Sequence, residues 1–309
     1  MKNFINLKDI PAKDLRKILH ETKKRKYKRR NLNTLEIDKD NPLKGKLLIQ
    51  MYEKESSRTR LSFHIAINQL GAGSITVKAT DLHLGKGGES LVDTAKILST
   101  YGDGFLLRTD SDKKIEDFSK NINMPLINLL SPSSHPCQVL SDVFTIEEIK
   151  KKPISKLNIT WIGDCNNVLN SLIAASVKFK FKLNVGCPKN YKPPNFVMEW
   201  VKKHKRKINI HNSPMKAITN ADVVFSDKVV SLNDKVNIEK KIRDFKNFKI
   251  SSKLMKHAKK NAIFLHCLPR GNEVSENVFL GRQSMVWLQA LNRVHVQKSI
   301  LLYCFGKLR

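Results

Sequence analysis

Residues 53–63 read EKESSRTRLSF, and this stretch sits where an apolar run (46–52) passes into a segment with helical spacing of Leu61, Ile65 and Leu70. Ser56, Ser57, Arg58, Thr59 and Arg60 thus fall at the expected start of a helix. A helix N-terminus presents unpaired N–H groups and the positive end of the backbone dipole, which suits an anion. Hydroxyl donors and guanidinium forks add bidentate recognition of phosphate oxygens. One arginine near a cap would be unremarkable, with Ser57 as a simple N-cap and the arginines paired to nearby glutamates. Five such residues in a row argue for an anion site instead. It is not a P-loop, since GxxxxGK[ST] is absent, and GKGG (85–88) alone is a weak phosphate signal.

Other chemically capable residues fall at comparable places. Apolar runs occur at 46–52, 74–79, 104–109 and 125–130, then at 157–163, 182–187, 208–212, 221–226 and 262–267. Segments with helical spacing lie between them, notably 57–70, 90–101 and 135–152, with a further one at about 284–304. Such alternation predicts an α/β protein of two domains, each a parallel sheet flanked by helices, with 135–152 joining them. The expected boundaries are 1–140 and 141–284, with the terminal helix of 285–309 returning to the first domain. Ligands of open parallel sheets bind beyond the carboxyl ends of the strands. Arg108 and His135-Pro136-Cys137-Gln138 follow runs of the first half; Gly163-Asp164-Cys165-Asn166-Asn167, Asp227 and His266-Cys267-Leu268-Pro269 follow runs of the second.

The formal charge of +29 at pH 7 could point to nucleic acid. Lysines are spread along the whole chain, however, beside abundant Asn and Ile, as a codon bias toward A and T would produce. The one dense basic cluster, KKRKYKRR (23–30), reads as a solvated helix end, with no RNA-binding aromatic motif, zinc finger or helix-turn-helix beside it. No nucleic-acid partner is expected. No apolar run approaches the ~18 residues of a membrane span, and the first residues lack the apolar core of a signal peptide. The five cysteines are scattered without zinc-site spacing, which predicts reduced thiols in a cytoplasmic protein and no metal.

Six stretches together resemble one family: EKESSRTR (53–60), LGKGGESLVDTAKILS (84–99), HPCQVLSD (135–142), WIGDCNNV (161–168), HCLPRG (266–271) and QALNR (289–293). In this order, over nearly the whole chain, they resemble the aspartate/ornithine carbamoyltransferases, and the ornithine branch in particular. The resemblance implies that the first domain binds carbamoyl phosphate and the second the amino-acid acceptor. Ser56, Ser57, Arg58 and Thr59 would hold the phosphate, and Arg108 would bridge phosphate and carbonyl. His135 and Gln138 would contact the carbamoyl oxygen and amide. Cys267 and Leu268 would offer backbone carbonyls to the carbamoyl NH2, and Arg293 would reach the same ligand. Arg108, His135 and Cys267 are the implied catalytic residues, and Arg60 is not among them. No cofactor is implied, and the assembly would be a homotrimer.

On the acceptor side the resemblance implies that Asn167, Asp227, Ser231 and Leu232 bind ornithine. The family's D-x-x-x-S-M-G pattern reads DKVVSLND here (227–234), with Leu232 in place of Met and Asn233 in place of Gly. GKGGES (85–90) carries one Gly more than the family's usual form. The expected reaction carries the carbamoyl group to the δ-amine of L-ornithine and yields L-citrulline and phosphate, a step of arginine metabolism. Another amine (acetylornithine, putrescine or aspartate) is the alternative acceptor.

Overall fold

The computed structural model describes residues 1–54, 56–78, 88–230 and 237–308. Ser231, Leu232 and Asn233, and the first part of the GKGGES loop, lie outside the described residues. Two compact units divide the chain: Met1–Ser141 with Leu291–Arg309, and Asp142–Ala290.

In the first unit, α1 (Ala12–Lys28) precedes β1 (Leu47–Tyr52), α2 (Ser57–Gln69), β2 (Gly73–Lys78), α3 (Leu91–Tyr101), β3 (Gly104–Arg108), α4 (Asp112–Asn121) and β4 (Leu126–Leu130). The four strands are parallel in the order β2-β1-β3-β4. Strands buried on both faces need continuous apolar runs, and LLIQMY and GFLLR supply them. β2 at the sheet edge is largely exposed, with Ile75 half in solvent. Met51, Phe105, Leu107, Phe118 and Leu126 form one core cluster, with the Phe105 and Phe118 ring centroids 5.1 Å apart. Serine side chains cap α3 and α4: Ser90 accepts from Asp93 N–H and Ser111 from Lys114 N–H.

The second unit contains β5 (Asn158–Ile162), α6 (Asn167–Phe179), β6 (Lys182–Gly186), α7 (Asn195–Lys203), β7 (Asn209–His211), α8 (Pro214–Ile218), β8 (Val223–Ser226), α9 (Ile238–Phe245), α10 (Ser252–Met255), β9 (Ile263–His266) and α11 (Glu276–Phe279). Its five parallel strands run β7-β6-β5-β8-β9. Ile162, Val224, Phe248, Phe264 and Val286 belong to its core. Along the chain, α5 (Pro136–Lys150) and α12 (Val286–Cys304) each pass from one unit into the other. Among the described residues, no helix is long and apolar enough to cross a membrane.

The basic cluster departs from the solvated helix end expected of it. Lys23, Lys24, Tyr27, Lys28 and Arg30 do face solvent, but Arg25 and Arg29, one turn apart, are buried. Arg25 binds Glu21 at 2.8 Å, Asp38 at 2.9 Å and Asp40 at 2.7 Å, while Arg29 binds Asp38 at 2.8 Å. Lys298, fully buried on α12, completes the group with Asp38 at 2.7 Å and the Gln69 side-chain oxygen at 3.1 Å. Their i, i+4 spacing turns both arginines inward, and burial makes the carboxylate partners obligatory.

Candidate functional site

In the first unit the chain leaves β1 for β2 on one side, whereas β3 and β4 lie on the other. That reversal opens a crevice beyond the ends of β1 and β3, the usual ligand position of such sheets. Tyr52 and Arg108 are register partners at the ends of these two strands. The Glu53 N–H extends the pairing to the Arg108 carbonyl at 3.0 Å. The Glu53 carboxylate accepts from the Thr109 hydroxyl and, at 2.6 Å, from Lys114 Nζ.

Ser56 is the N-cap of α2, yet its side chain makes no capping hydrogen bond. Ser57 and Arg58 are exposed in the first turn, and Thr59 is buried. Arg293, buried on α12, donates from Nη2 to the Thr59 hydroxyl oxygen at 2.7 Å. That bond uses Thr59 as acceptor and leaves its O–H as a donor. Arg60 stacks over the Tyr52 ring at 5.4 Å.

Around Arg108 the field is strongly positive. Burial and then Arg293 pull its guanidinium down to about 10; Arg58 adds to the depression and Tyr52 opposes it. Its buried Nε has no hydrogen-bond partner among the described residues. His135, buried just before Pro136 opens α5, is held well below the ordinary imidazole value by burial, then by Arg293 and Arg108. It is a neutral donor at physiological pH. Gln138, one turn into α5, is buried as well. A neutral imidazole, a hydroxyl and crowded guanidinium groups form a preorganised receptor for an anion with a polarisable carbonyl.

The second unit has its own reversal, between β5 and β8. Beyond β5, Asn166 caps α6, its Oδ1 accepting from the N–H groups of Val168 at 3.0 Å and Leu169 at 3.2 Å. Its Nδ2 donates to Asp227 Oδ2 at 2.7 Å, just beyond β8. The Ser226 hydroxyl reaches the Ile162 carbonyl at 2.8 Å and locks the two strand ends together. Burial raises the Asp227 carboxyl above the ordinary aspartate range, partly opposed by His266, the Lys228 N–H and the Asn166 amide. Asp164, between these residues and β5, is paired with the buried Lys241 at 2.7 Å. Asn167 is the first residue of α6 and half-buried, and its neighbour Asn166, which holds Asp227, is a positioning residue to which the sequence motif gave no separate role.

Cys267 and Leu268 follow β9 on a loop held by His266. The buried His266 ring accepts the Leu268 N–H on Nδ1 at 2.9 Å and donates from Nε2 to Glu273 Oε1 at 3.0 Å. Glu273 Oε1 also accepts the Gly271 N–H at 2.7 Å, so one carboxylate organises both ends of the loop. These contacts depress the Glu273 carboxyl despite its burial. The His266 N–H donates to Gln289 Oε1 at 2.9 Å, and Gln289 Nε2 donates to Asp142 at 2.8 Å. Glu273 lies two residues beyond the HCLPRG stretch, and nothing in the sequence motifs singles it out. Among the described residues, no group of three or more His, Cys, Asp and Glu is placed to hold a metal ion.

Two unlike halves, one receptive to an anion and one presenting a carboxylate, define a two-substrate α/β enzyme. The chain belongs to the aspartate/ornithine carbamoyltransferase family: residues 2–148 match its carbamoyl-P binding domain and residues 155–304 its Asp/Orn binding domain. An ornithine carbamoyltransferase of Ruthia magnifica subsp. Calyptogena magnifica is 39% identical over 307 residues, covering 98% of this chain and 99% of that protein. The solved ornithine carbamoyltransferase of Pyrococcus furiosus is 34% identical, with a TM-score of 0.91, covering 100% of this chain and 98% of that one. The anabolic enzyme of Campylobacter jejuni subsp. jejuni gives a TM-score of 0.89 at 32% identity, covering 99% of this chain and 100% of that one.

Proposed function

We propose that this chain transfers the carbamoyl group of carbamoyl phosphate to the δ-amine of L-ornithine, releasing L-citrulline and phosphate. One observation supports the reading beyond family membership: the Arg293 guanidinium binds the Thr59 hydroxyl, and the charges of Arg293 and Arg108 both act on His135 near the β1/β3 reversal.

On this reading the α2 N-terminus, Ser56, Ser57 and Arg58 hold the phosphate, and Arg108 and Arg293 extend over the carbamoyl group. Gln138 takes the amide. The Cys267 and Leu268 main chain, fixed through His266, supplies carbonyl acceptors for the carbamoyl NH2. Asn167 and Asp227 receive the amino-acid end of ornithine, with Ser231 and Leu232 completing that side. The unprotonated δ-amine attacks the carbonyl carbon. Charge gathers on the carbonyl oxygen, where Arg108, the neutral His135 N–H and the Thr59 O–H stabilise it. The carbon–oxygen bond to phosphate then breaks, and the departing phosphate takes a proton from the nitrogen that attacked. A free alkylamine has a pKa of about 10.4 by analogy with lysine, so a poorly hydrated pocket that favours the neutral amine assists the attack.

Ornithine is favoured over aspartate because Asp227 is a carboxylate, and a dicarboxylate acceptor would need cations there. The same reading makes the assembly a homotrimer, which light scattering would report as three copies of the 35.4 kDa chain. The test is a panel of amines incubated with carbamoyl phosphate while phosphate release is followed. Release with L-ornithine, and little with aspartate, putrescine or acetylornithine, is expected; release with a different amine reassigns the acceptor.

A further inference from the structure

Asp227 is not the only carboxylate at the reversal between β5 and β8. Asp164 follows β5 two residues before Asn166, whose amide donates to Asp227 at 2.7 Å. The two strand ends are closely packed. A Cβ placed on Gly163 would lie 3.5 Å from the Ser226 hydroxyl and 3.8 Å from the Asp227 carbonyl. Asp164 is the next residue, and its own carbonyl accepts from the Trp161 indole N–H at 3.1 Å. Trp161 is fully buried and stacked on Phe225, with ring centroids 6.5 Å apart. Asp164 is therefore held near Asp227, with its carboxylate partly exposed.

The charge of Asp164 is met from α9. Lys241 and Phe245, one turn apart, are the buried residues of that helix. Phe245 belongs to the core of the unit and packs edge-on against Tyr191, with ring centroids 4.8 Å apart. Lys241 carries an ammonium into the same face and places it 2.7 Å from Asp164 Oδ2, its side chain only 4% exposed. A pair this deeply buried adds little to stability, because apolar side chains of similar volume often pack as well or better. Its consequence is electrostatic: two neighbouring aspartates are left with the net charge of one.

We propose that Lys241 is a specificity-determining residue: it cancels the charge of Asp164, so that Asp227 alone presents negative charge to the acceptor, and this selects an amino acid over a bare diamine. The far end of an amino acid carries an ammonium and a carboxylate, whereas the far end of a diamine carries a cation only. Two uncancelled aspartates would attract the diamine and repel the α-carboxylate of the amino acid. Lys241 touches neither substrate and acts through Asp164. The inference rests on the reading of Asp227 as the group that meets the acceptor.

The experiment uses the purified full chain and two readouts: putrescine affinity by isothermal titration calorimetry, and kcat/KM for L-ornithine with saturating carbamoyl phosphate. Lys241→Met removes the cation that balances Asp164. It should tighten putrescine binding by about 10–100-fold, the size of one charge-assisted contact, while kcat/KM for ornithine falls. The double variant Lys241→Met, Asp164→Asn removes both charges and should return both readouts toward the parent values. Lys241→Arg keeps the cation and should hold them there. Should Lys241→Met fail to fold, Lys241→Gln, which keeps a hydrogen-bond donor and drops the charge, is expected to move the readouts in the same directions. A purely structural role would weaken both substrates together, and that result overturns the inference. A double variant that retains the tighter putrescine binding overturns it too. If the parent turns over no ornithine, the acceptor reading fails, while the putrescine titrations still decide whether Lys241 cancels Asp164.

Discussion

Replacing Arg108 with Met should make the free protein more stable and at the same time remove its affinity for phosphate. In the folded chain the Arg108 guanidinium is depressed from an ordinary value above 12 to about 10, chiefly by burial and by Arg293. At roughly 1.4 kcal/mol per tenfold change, that corresponds to ~3 kcal/mol of unfavourable charge. Its position at the partly exposed end of β3 screens the field, so about 1–3 kcal/mol is the reasonable range. The sign follows from linkage. Below pH 10 the side chain is charged both folded and unfolded, and the folded state carries the whole penalty. The penalty fades only as pH rises above 10. At pH 7.5, Met of similar length removes it and keeps the packing of the stem. Urea unfolding followed on the first unit should therefore show a higher midpoint for Arg108→Met than for the parent. With phosphate or carbamoyl phosphate at about 100 times Kd, the parent should gain ~2.7 kcal/mol and the variant almost nothing. A variant that loses more than about 1 kcal/mol and still gains from the ligand would refute the idea of a charge-strained receptor.

Three further outcomes follow from the same geometry. His135→Asn should lower kcat by about 10²-fold, the loss expected of one oxyanion donor. Because burial, Arg293 and Arg108 hold the imidazole neutral, the parent and variant pH profiles should share their shape, with no inflection belonging to His135 near pH 6.5; steady-state kinetics between pH 5.5 and 9 check this. Asp227→Asn should cost about 10–100-fold in kcat/KM for ornithine, the worth of a charge-assisted contact, with carbamoyl phosphate affinity retained. Burial raises the Asp227 carboxyl, so acceptor binding should fail on acidification at a higher pH than an ordinary aspartate would impose. Lys298 is pushed down to about 8 by burial. The folded state thus carries its penalty below pH 8 and sheds it as pH rises toward that of a free lysine, about 10.4. The stability of the parent relative to Lys298→Met should climb across that window in urea titrations.

Much of this was readable from residue order alone, for physical reasons. Each of the nine apolar runs became a strand, and the inner ones such as β1 and β3 are uninterrupted because a parallel sheet covered on both faces requires it. Arg108 at the end of β3 and Asp227 just beyond β8 fell beside the two strand reversals, where such sheets leave backbone and space for a ligand. What stayed hidden were the partners of buried ionic groups. Asp38 and Lys298 lie 260 positions apart and meet only through packing, so the basic cluster read as solvated although Arg25 and Arg29 are not. The choice between Asn166 and Asn167 was similarly invisible. Adjacent asparagines at a helix start differ by which one takes the cap, and only the backbone shows that Asn166 caps α6 and turns its amide to Asp227. Glu273 was missed because its partners, His266 and the Gly271 N–H, become apparent only once the loop is folded back.

The most direct test supplies carbamoyl phosphate carrying carbon-13 at its carbonyl, together with L-ornithine, to the purified chain and follows the carbon by NMR. The account predicts that the label moves from the mixed anhydride of carbamoyl phosphate to the ureido carbon of L-citrulline, one phosphate appearing per citrulline, and that Arg108→Met stops the transfer. Label released only as bicarbonate or cyanate, with ornithine unchanged, would contradict it.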